Sequence, residues 1–454
     1  METREPSPRP MPAFRHTIGR AAACGVAAVF TAVGVLTTLA SAAPQEALRA
    51  QVLTATGAWV DGPLRGIDGG RWQIGDERLE QAAIVAFAVS PIDGRSGGVL
   101  DGRIASGASV LELWPDQQLP GTLKVVQGAA VWEHRWIGTV PIAIDRISSM
   151  RLRGSKLPER RSDADAIMLA NGDVLTGFVE SIGTDLAYEP LAGGAADAAA
   201  SEGDASLESS RRVSLDRIGA VVFAAAGTTD DASMQLTTAD GSRVLGRNLR
   251  YAPSTSGGAG WSFELADPAL ASIRRGDTSD NAAANVMSGV LAPQRLHPLA
   301  ACGQPDTRVP DGAFHYGVDQ SVERPRQDST LPQLSEVQIS GPVVATYAIP
   351  PAIAGGPGAF EGSLVFSALV SLAAPTPSDA RVDVRIQLGD GRGGESTRTS
   401  FTLDARTPRV PVVLTDPSGR ATALTIELGD GGNGIAGDSI LLERACLIVD
   451  RSKR

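Results

Sequence analysis

The sequence is short of aromatic residues, histidine, cysteine and positive charge. Aromatics make up 4% of 454 residues, and there are four histidines and three cysteines. The histidines are His16, His134, His297 and His315, and none has an H-x-x-x-H partner. That spacing excludes the common zinc centres. Three cysteines exclude a disulfide-dense scaffold. Lys and Arg number 41 against 51 acids, for a net charge of −10. A chain that neutralises a polyanion needs clustered cations, so nucleic acid is excluded as a partner. There is no nucleophile elbow in a strand–turn–helix setting, no phosphate loop and no dinucleotide-binding fingerprint. No catalytic residue is assigned, and the chain reads as non-enzymatic. A glycan hydrolase would need two carboxylates about 5–10 Å apart in one cleft.

Long apolar runs are also missing, with one exception. Arg4, Arg9, Arg15 and Arg20 precede a charge-free stretch from Ala21 to Ala43. Ala40-Ser41-Ala42 is a small-x-small cleavage site, followed by Pro44. Residues 1–43 therefore read as a signal peptide or as an uncleaved N-terminal anchor, since a stretch of this length also spans a bilayer. Either reading places the remainder outside the cytoplasm: periplasmic, cell-surface or secreted. If residues 1–43 are removed, Cys302 and Cys446 are the remaining cysteines. In an oxidising compartment they are expected to pair, with two buried free thiols as the alternative.

What the chain has in quantity is turn chemistry. Its 51 Gly and 29 Pro favour many short strands over long helices. From about Val52 to Gly276 it repeats itself. The segment 111–121 (LELWPDQQLPG) aligns with 167–177 (IMLANGDVLTG), and 142–152 (IAIDRISSMRL) aligns with 213–223 (VSLDRIGAVVF). In each, an apolar strand meets a hairpin turn and a second strand reaches Gly121 or Gly177. A glycine there permits a sharp bend. Asp145-Arg146 or Asp216-Arg217 then turns the chain into a closing strand. Two weaker copies flank this pair. The resulting β-units are 44–105, 106–162, 163–230 and 231–277, the third with a low-complexity insertion at 192–206. The pattern resembles the small barrels of the Sm/SH3-like class in tandem. Trp132, His134 and Trp136 alternate along one segment and are candidate ligand-binding residues, because an exposed indole stacks on a sugar ring. A core strand is the alternative.

Residues 278–335 read as linker and loop. From 336 to 454, with a start near 297 as the alternative, eight segments alternate apolar and polar residues between Gly/Pro turns: 336–340, 343–349, 362–371, 381–388, 398–403, 409–414, 423–428 and 440–449. Their count and spacing predict a β-sandwich, most simply a jelly roll. The fold class is thus mainly β, with tandem small barrel-like repeats followed by a C-terminal sandwich. The strand order, with Tyr347-Ala-Ile-Pro-Pro, the run from Phe360 to Val370, and Gly434-Ile-Ala-Gly-Asp438, resembles galactose-binding-like jelly rolls, especially the carbohydrate-binding modules abbreviated NPCBM. The resemblance covers roughly residues 300–449. It departs from the pattern after the glycine turn, where Ile440-Leu441-Leu442 replaces the usual aromatic. It implies a glycan or envelope component as partner. An envelope protein that binds other proteins is the alternative. No cofactor is expected beyond a structural Ca²⁺, for which Asp430, Asn433 and Asp438 offer oxygen donors.

Overall fold

The computed structural model describes residues 48–91, 107–191, 210–224, 234–252, 260–273, 286–309, 321–322, 326–327, 334–353, 362–373, 380–390, 396–429, 431 and 439–450. Residues 1–43, Asp430, Asn433 and Asp438, and the insertion at 192–206, lie outside them. The chain is built almost wholly of antiparallel strands, in agreement with its mainly β reading. Among the described residues, no helix is long and apolar enough to cross a membrane.

Four blocks come first. The first holds β1 (Leu48–Thr54), β2 (Trp59–Asp68), β3 (Arg71–Ile74), β4 (Glu77–Glu80) and β5 (Ile84–Pro91). The second holds β6 (Ser109–Leu113), β7 (Gln117–Val126), β8 (Ala129–His134), β9 (Gly138–Pro141) and β10 (Ile147–Arg151). The third holds β11 (Asp165–Leu169), β12 (Val174–Ile182), β13 (Asp185–Pro190), β14 (Arg211–Ser214) and β15 (Ile218–Val222). The fourth holds β16 (Met234–Thr238), β17 (Arg243–Tyr251), β18 (Trp261–Leu265), the short helix α1 (Pro268–Ile273) and β19 (Val286–Val290).

One pairing scheme recurs. The closing strand of each block pairs with its first strand, and the first with the second: β5–β1–β2, β10–β6–β7, β15–β11–β12 and β19–β16–β17. A single 3₁₀ turn precedes the closing strand in the first three blocks, and in two of them it carries the Asp-Arg pairs 145–146 and 216–217. The blocks are not separate barrels, because pairing crosses their boundaries. Strand β10 pairs with β15, and β5 with β19, so nineteen strands form one continuous sheet.

The fourth block differs from the others in one element. Residues 268–273, where the other three have a 3₁₀ turn into the closing strand, are α-helical. Asp267 caps the helix by accepting from the amides of Ala269 (3.0 Å) and Leu270 (3.4 Å), and Pro268 occupies its first turn. The closing strand comes later, at β19, inside the segment read as linker. That segment also carries β20 (Leu296–Pro298), β21 (Asp306–Arg308), β22 (Ser321–Val322) and β23 (Arg326–Gln327).

The sandwich is completed by β24 (Ser335–Ser340), β25 (Val343–Ala348), β26 (Ser363–Leu372), β27 (Arg381–Gly389), β28 (Ser396–Asp404), β29 (Arg409–Asp416), β30 (Ala423–Gly429) and β31 (Ser439–Asp450). One sheet runs β22–β24–β31–β26–β29, with β20 and β23 at its side; the other runs β21–β25–β30–β27–β28. Strand β20 pairs with β31 in the register Pro298↔Cys446, so the domain begins near 296. Val382, Val384, Ile386 and Leu388 alternate inward on β27, as Leu424, Ile426 and Leu428 do on β30. They meet Leu364, Phe366 and Leu447 of the opposite sheet in one core.

A separate apolar cluster joins the sandwich to the first block. Leu53, Val85 and Ala86 pack there with Val365, Cys446 and Ile448. Ser367 Oγ donates to the carbonyl of Gly57 (2.8 Å), and the guanidinium of Arg444 lies 4.8 Å over Trp59 while donating to Gln51 (2.6 Å).

The expected disulfide is absent: Cys302 and Cys446 are free. Strand geometry is the reason. Along β31, Ala445 and Leu447 face the sandwich core, so Cys446 faces the other way, into the cluster against the first block. Cys302 packs on the sandwich core side, beside Tyr347. The two thiols sit on opposite faces of one sheet.

Candidate functional site

Of the residues singled out for ligand binding, Trp132 and His134 lie in the interior and Trp136 is half-buried at its edge. Trp132 lies on β8, is fully buried and belongs to the core of the blocks. It has no face left for a sugar. His134 is 2% exposed. Its Nδ1 accepts from the amide of Ile137 (3.2 Å), which leaves the proton on Nε2. Nε2 therefore donates to Ser242 Oγ at 2.9 Å. Ser242 Oγ donates in turn to Asp240 Oδ1 (2.7 Å), which also accepts from Thr238 Oγ1 (2.6 Å). Trp136 Nε1 donates to the other oxygen, Asp240 Oδ2 (3.1 Å), and its ring stands edge-on to His134 at 5.1 Å. Burial lowers the His134 pKa from its ordinary value to about 4, against an opposing pull from Asp240. The imidazole is neutral at pH 7.

Histidine, serine and aspartate are the three residue types of a hydrolytic triad, but the direction is wrong for one. In a triad the serine gives its proton to histidine and the carboxylate accepts from the imidazole. Here the imidazole donates to the serine and the serine to the carboxylate. Ser242 is also wholly buried. The cluster is a latch between the second block and the fourth. A second latch lies nearby: Asp267 accepts from Gln117 (2.9 Å) and is ion-paired with Arg146, both from the second block.

The surface that presents polar groups in order is the outer face of the five-stranded sheet of the sandwich. On β27, Asp383 and Arg385 face outward between inward valines and isoleucine. Register places Asp383 opposite Thr402, and Arg385 opposite Ser400 on one side and Glu427 on the other. Thr425 is likewise opposite Thr346. Arg385 Nη1 donates to Glu427 Oε2 (3.2 Å), and Thr402 Oγ1 donates to Asp383 Oδ1. Hydroxyls, carboxylates and a guanidinium thus stand in rows on one face of paired strands. Alternating side chains in 381–388 and 423–428 already marked one face of each strand as polar. What the linear sequence did not display was the register that aligns them.

No family model matches the chain, and no curated protein matches it. Solved structures do. The CBM51-2 and INT domains of Clostridium perfringens ZmpB match at 13% identity over 35% of this chain and 32% of that one, with a TM-score of 0.24. The CBM51 module of Clostridium perfringens GH95, in complex with methyl-galactose, matches at 12% identity over 34% of this chain and 99% of that one, TM-score 0.24. The CBM22-1 xylan-binding domain of Paenibacillus barcinonensis Xyn10C matches at 11% identity over 35% of this chain and 95% of that one, TM-score 0.22. The chain spans about a third of the length of the first of these. Each of the three structures contains a carbohydrate-binding module.

Two concavities among the described residues lie among the blocks. One of about 360 Å³ sits over the second latch, lined by Trp114, Arg146 and Asp267. A larger one, about 540 Å³, opens where β2, β3 and β4 meet the end of β17. Among the described residues, no cluster of three or more His, Cys, Asp or Glu is placed to hold a metal ion.

Proposed function

We propose that this chain is an exported, non-catalytic binding protein whose jelly roll recognises a glycan or another cell-envelope polymer. The observation that carries the reading is the outer face of the five-stranded sheet. Asp383, Arg385, Thr402 and Glu427 are exposed or half-exposed and already hydrogen-bonded in two pairs, Arg385 to Glu427 and Thr402 to Asp383. A hydroxyl-rich ligand needs paired donors and acceptors held in place before it arrives, and charged groups give the stronger bonds. The basic lead and charge-free stretch of residues 1–43 support export.

The test is a glycan array with the wild type and with D383A/R385A. The reading expects a defined set of saccharides to bind and the variant to lose them with its fold intact. A silent array rejects it. A second reading, an envelope assembly protein, has one observation in its favour. Val125 and Val126 on β7, and Val174 and Phe178 on β12, are 40–51% exposed apolar side chains. A stable protein complex in the absence of glycan binding would select that alternative.

A further inference from the structure

The larger cleft of the first block has a chemistry of its own. Its floor is Gly66 on β2, beside the Tyr251 carbonyl on β17, while the Ile67 and Tyr251 side chains are buried beneath. Tyr251 pairs with Ile67, so the fourth block forms one wall. Its rim carries three arginines, each from a different strand: Arg65 on β2, Arg71 on β3 and Arg78 on β4. Strand alternation explains the arrangement. Trp72 and Ile74 point into the core, which turns Arg71 and Gln73 outward. Register sets Gln73 opposite Arg78 on one side and Gly66 on the other. The missing side chain at Gly66 is what makes the hollow. A Cβ built there would meet only the Tyr251 carbonyl oxygen, at 3.7 Å.

The charge balance inside the cleft is opposite to that of the chain. Three arginines line it with one acid, Asp68, in a protein of net charge −10. Their neighbours neutralise them incompletely. Arg71 Nε reaches Glu80 at 3.2 Å, and Arg65 reaches the fully exposed Asp76 only at 3.7 Å. Arg78 has no acidic partner among the described residues. Exposed pairs of this kind contribute little and exchange readily for a better one.

We infer that this cleft is a second binding site, specific for a carboxylate-bearing saccharide, such as a uronic-acid segment of an acidic polysaccharide. A planar guanidinium matches a carboxylate in two parallel hydrogen bonds. The hollow over Gly66 leaves room for a pyranose ring between the arginines, and the volume lies within the range of small-molecule sites. Nothing here depends on the jelly-roll face.

The test is titration calorimetry of the protein with tetragalacturonate, its methyl ester and sodium sulfate. The acid is expected to bind and the ester, uncharged and larger by one methyl per carboxyl, to bind at least about tenfold more weakly. R65A/R78A is expected to lose about tenfold in affinity for the acid with an unchanged thermal transition. G66V fills the hollow, suits a strand conformation, and is expected to abolish binding. D383A/R385A is expected to leave it unchanged, so failure of the jelly-roll reading and failure of this one are distinguishable. Equal binding of acid and ester, sulfate binding as tight as the acid, or an R65A/R78A variant that binds normally would each overturn the inference.

Discussion

His134 Nε2 lies 2.9 Å from Ser242 Oγ across 108 residues of chain, and with that contact a neutral imidazole becomes part of the joint between two blocks. The sign of its pH dependence follows. The folded-state pKa is near 4 because burial opposes the charged form, whereas the unfolded imidazole titrates near its ordinary 6.5. Between these values the unfolded state binds the extra proton, so stability falls as pH falls from about 6.5 toward 4. The loss at the lower end is roughly 3 kcal/mol. H134Q keeps a donor to Ser242 without the titration. Urea unfolding at pH 7.5 and pH 4.5 should show a smaller drop in midpoint for H134Q than for wild type. Equal drops would mean the imidazole does not stay neutral.

The second latch tests the same joint without a titration. Asp267 holds Arg146 and Gln117 of the second block while it caps α1 in the fourth. It is only 7% exposed. D267A leaves Arg146 without its anion and removes the cap, and should cost about 3 kcal/mol. D267N keeps an acceptor for the helix amides and should cost less. Thermal unfolding of the two variants ranks them, and an unperturbed D267A would show the blocks held by apolar packing alone.

Two glycines report how far the repeat could be read in the linear chain. A Cβ at Gly177 would stand 2.1 Å from the Glu189 carbonyl oxygen, and one at Gly121 would stand 2.4 Å from Trp132 Nε1 and 2.5 Å from the Glu133 carbonyl oxygen. Neither has a positive φ, so the requirement is for space. G177A should destabilise by more than about 3 kcal/mol, because backbone cannot yield as a side chain does. A soluble G177A with an unchanged melting temperature would show that the third block relaxes around it.

These glycines were visible because a bend needs a specific residue at a specific offset. The eight sandwich strands were visible for a related reason: period-two burial writes each inward residue into the chain, and β27 and β30 begin at Arg381 and Ala423 as their alternation predicts. Other features were written elsewhere. Helix α1 carried its signal in Asp267-Pro268 and in the three-residue spacing of Leu270 and Ile273, which shares a face on a helix but not on a strand; at six residues the segment is too short for that period to stand out. Strand β19 (VMSGV) is short, contains a glycine and follows a helix, so local pattern could not pair it with β16, which starts 52 residues earlier at Met234. The fate of His134 and Trp136 was decided by the fourth block, whose Ser242 and Asp240 bond to them. Alternation places a side chain on a face; it does not say what covers that face.

The thiols give a chemical check on the strand faces. Burial pushes the Cys302 thiol up to about 11 and raises Cys446 further. Neither is thiolate at pH 8, and thiolate is the reactive form. In a protein beginning at residue 44, a thiol reagent at pH 8 should label Cys302 slowly and Cys446 not at all. Denaturation without reductant should release two equivalents. Release of none would mean the cysteines had paired, which requires β31 to rotate.

The joint between the sandwich and the first block decides whether the jelly roll acts as a tethered module or as part of one body. Gly57 has φ +82°, a conformation that favours glycine, and a Cβ there would lie 2.7 Å from Val365 Cγ1 and 3.0 Å from Val413 Cγ1. Its carbonyl also receives Ser367. A side chain at this turn would push β1 and β2 away from β26 and expose Leu53, Val85 and Cys446 to water. With the joint intact, the sandwich and first block should unfold together in one calorimetric transition. G57V should split that transition, lowering one component by several degrees, since about 2 kcal/mol shared over a domain of this size is enough to separate them. Two transitions already present in the wild type would instead make the sandwich an independent unit, and the polar face would then be carried on a module free to move relative to the arginine cleft.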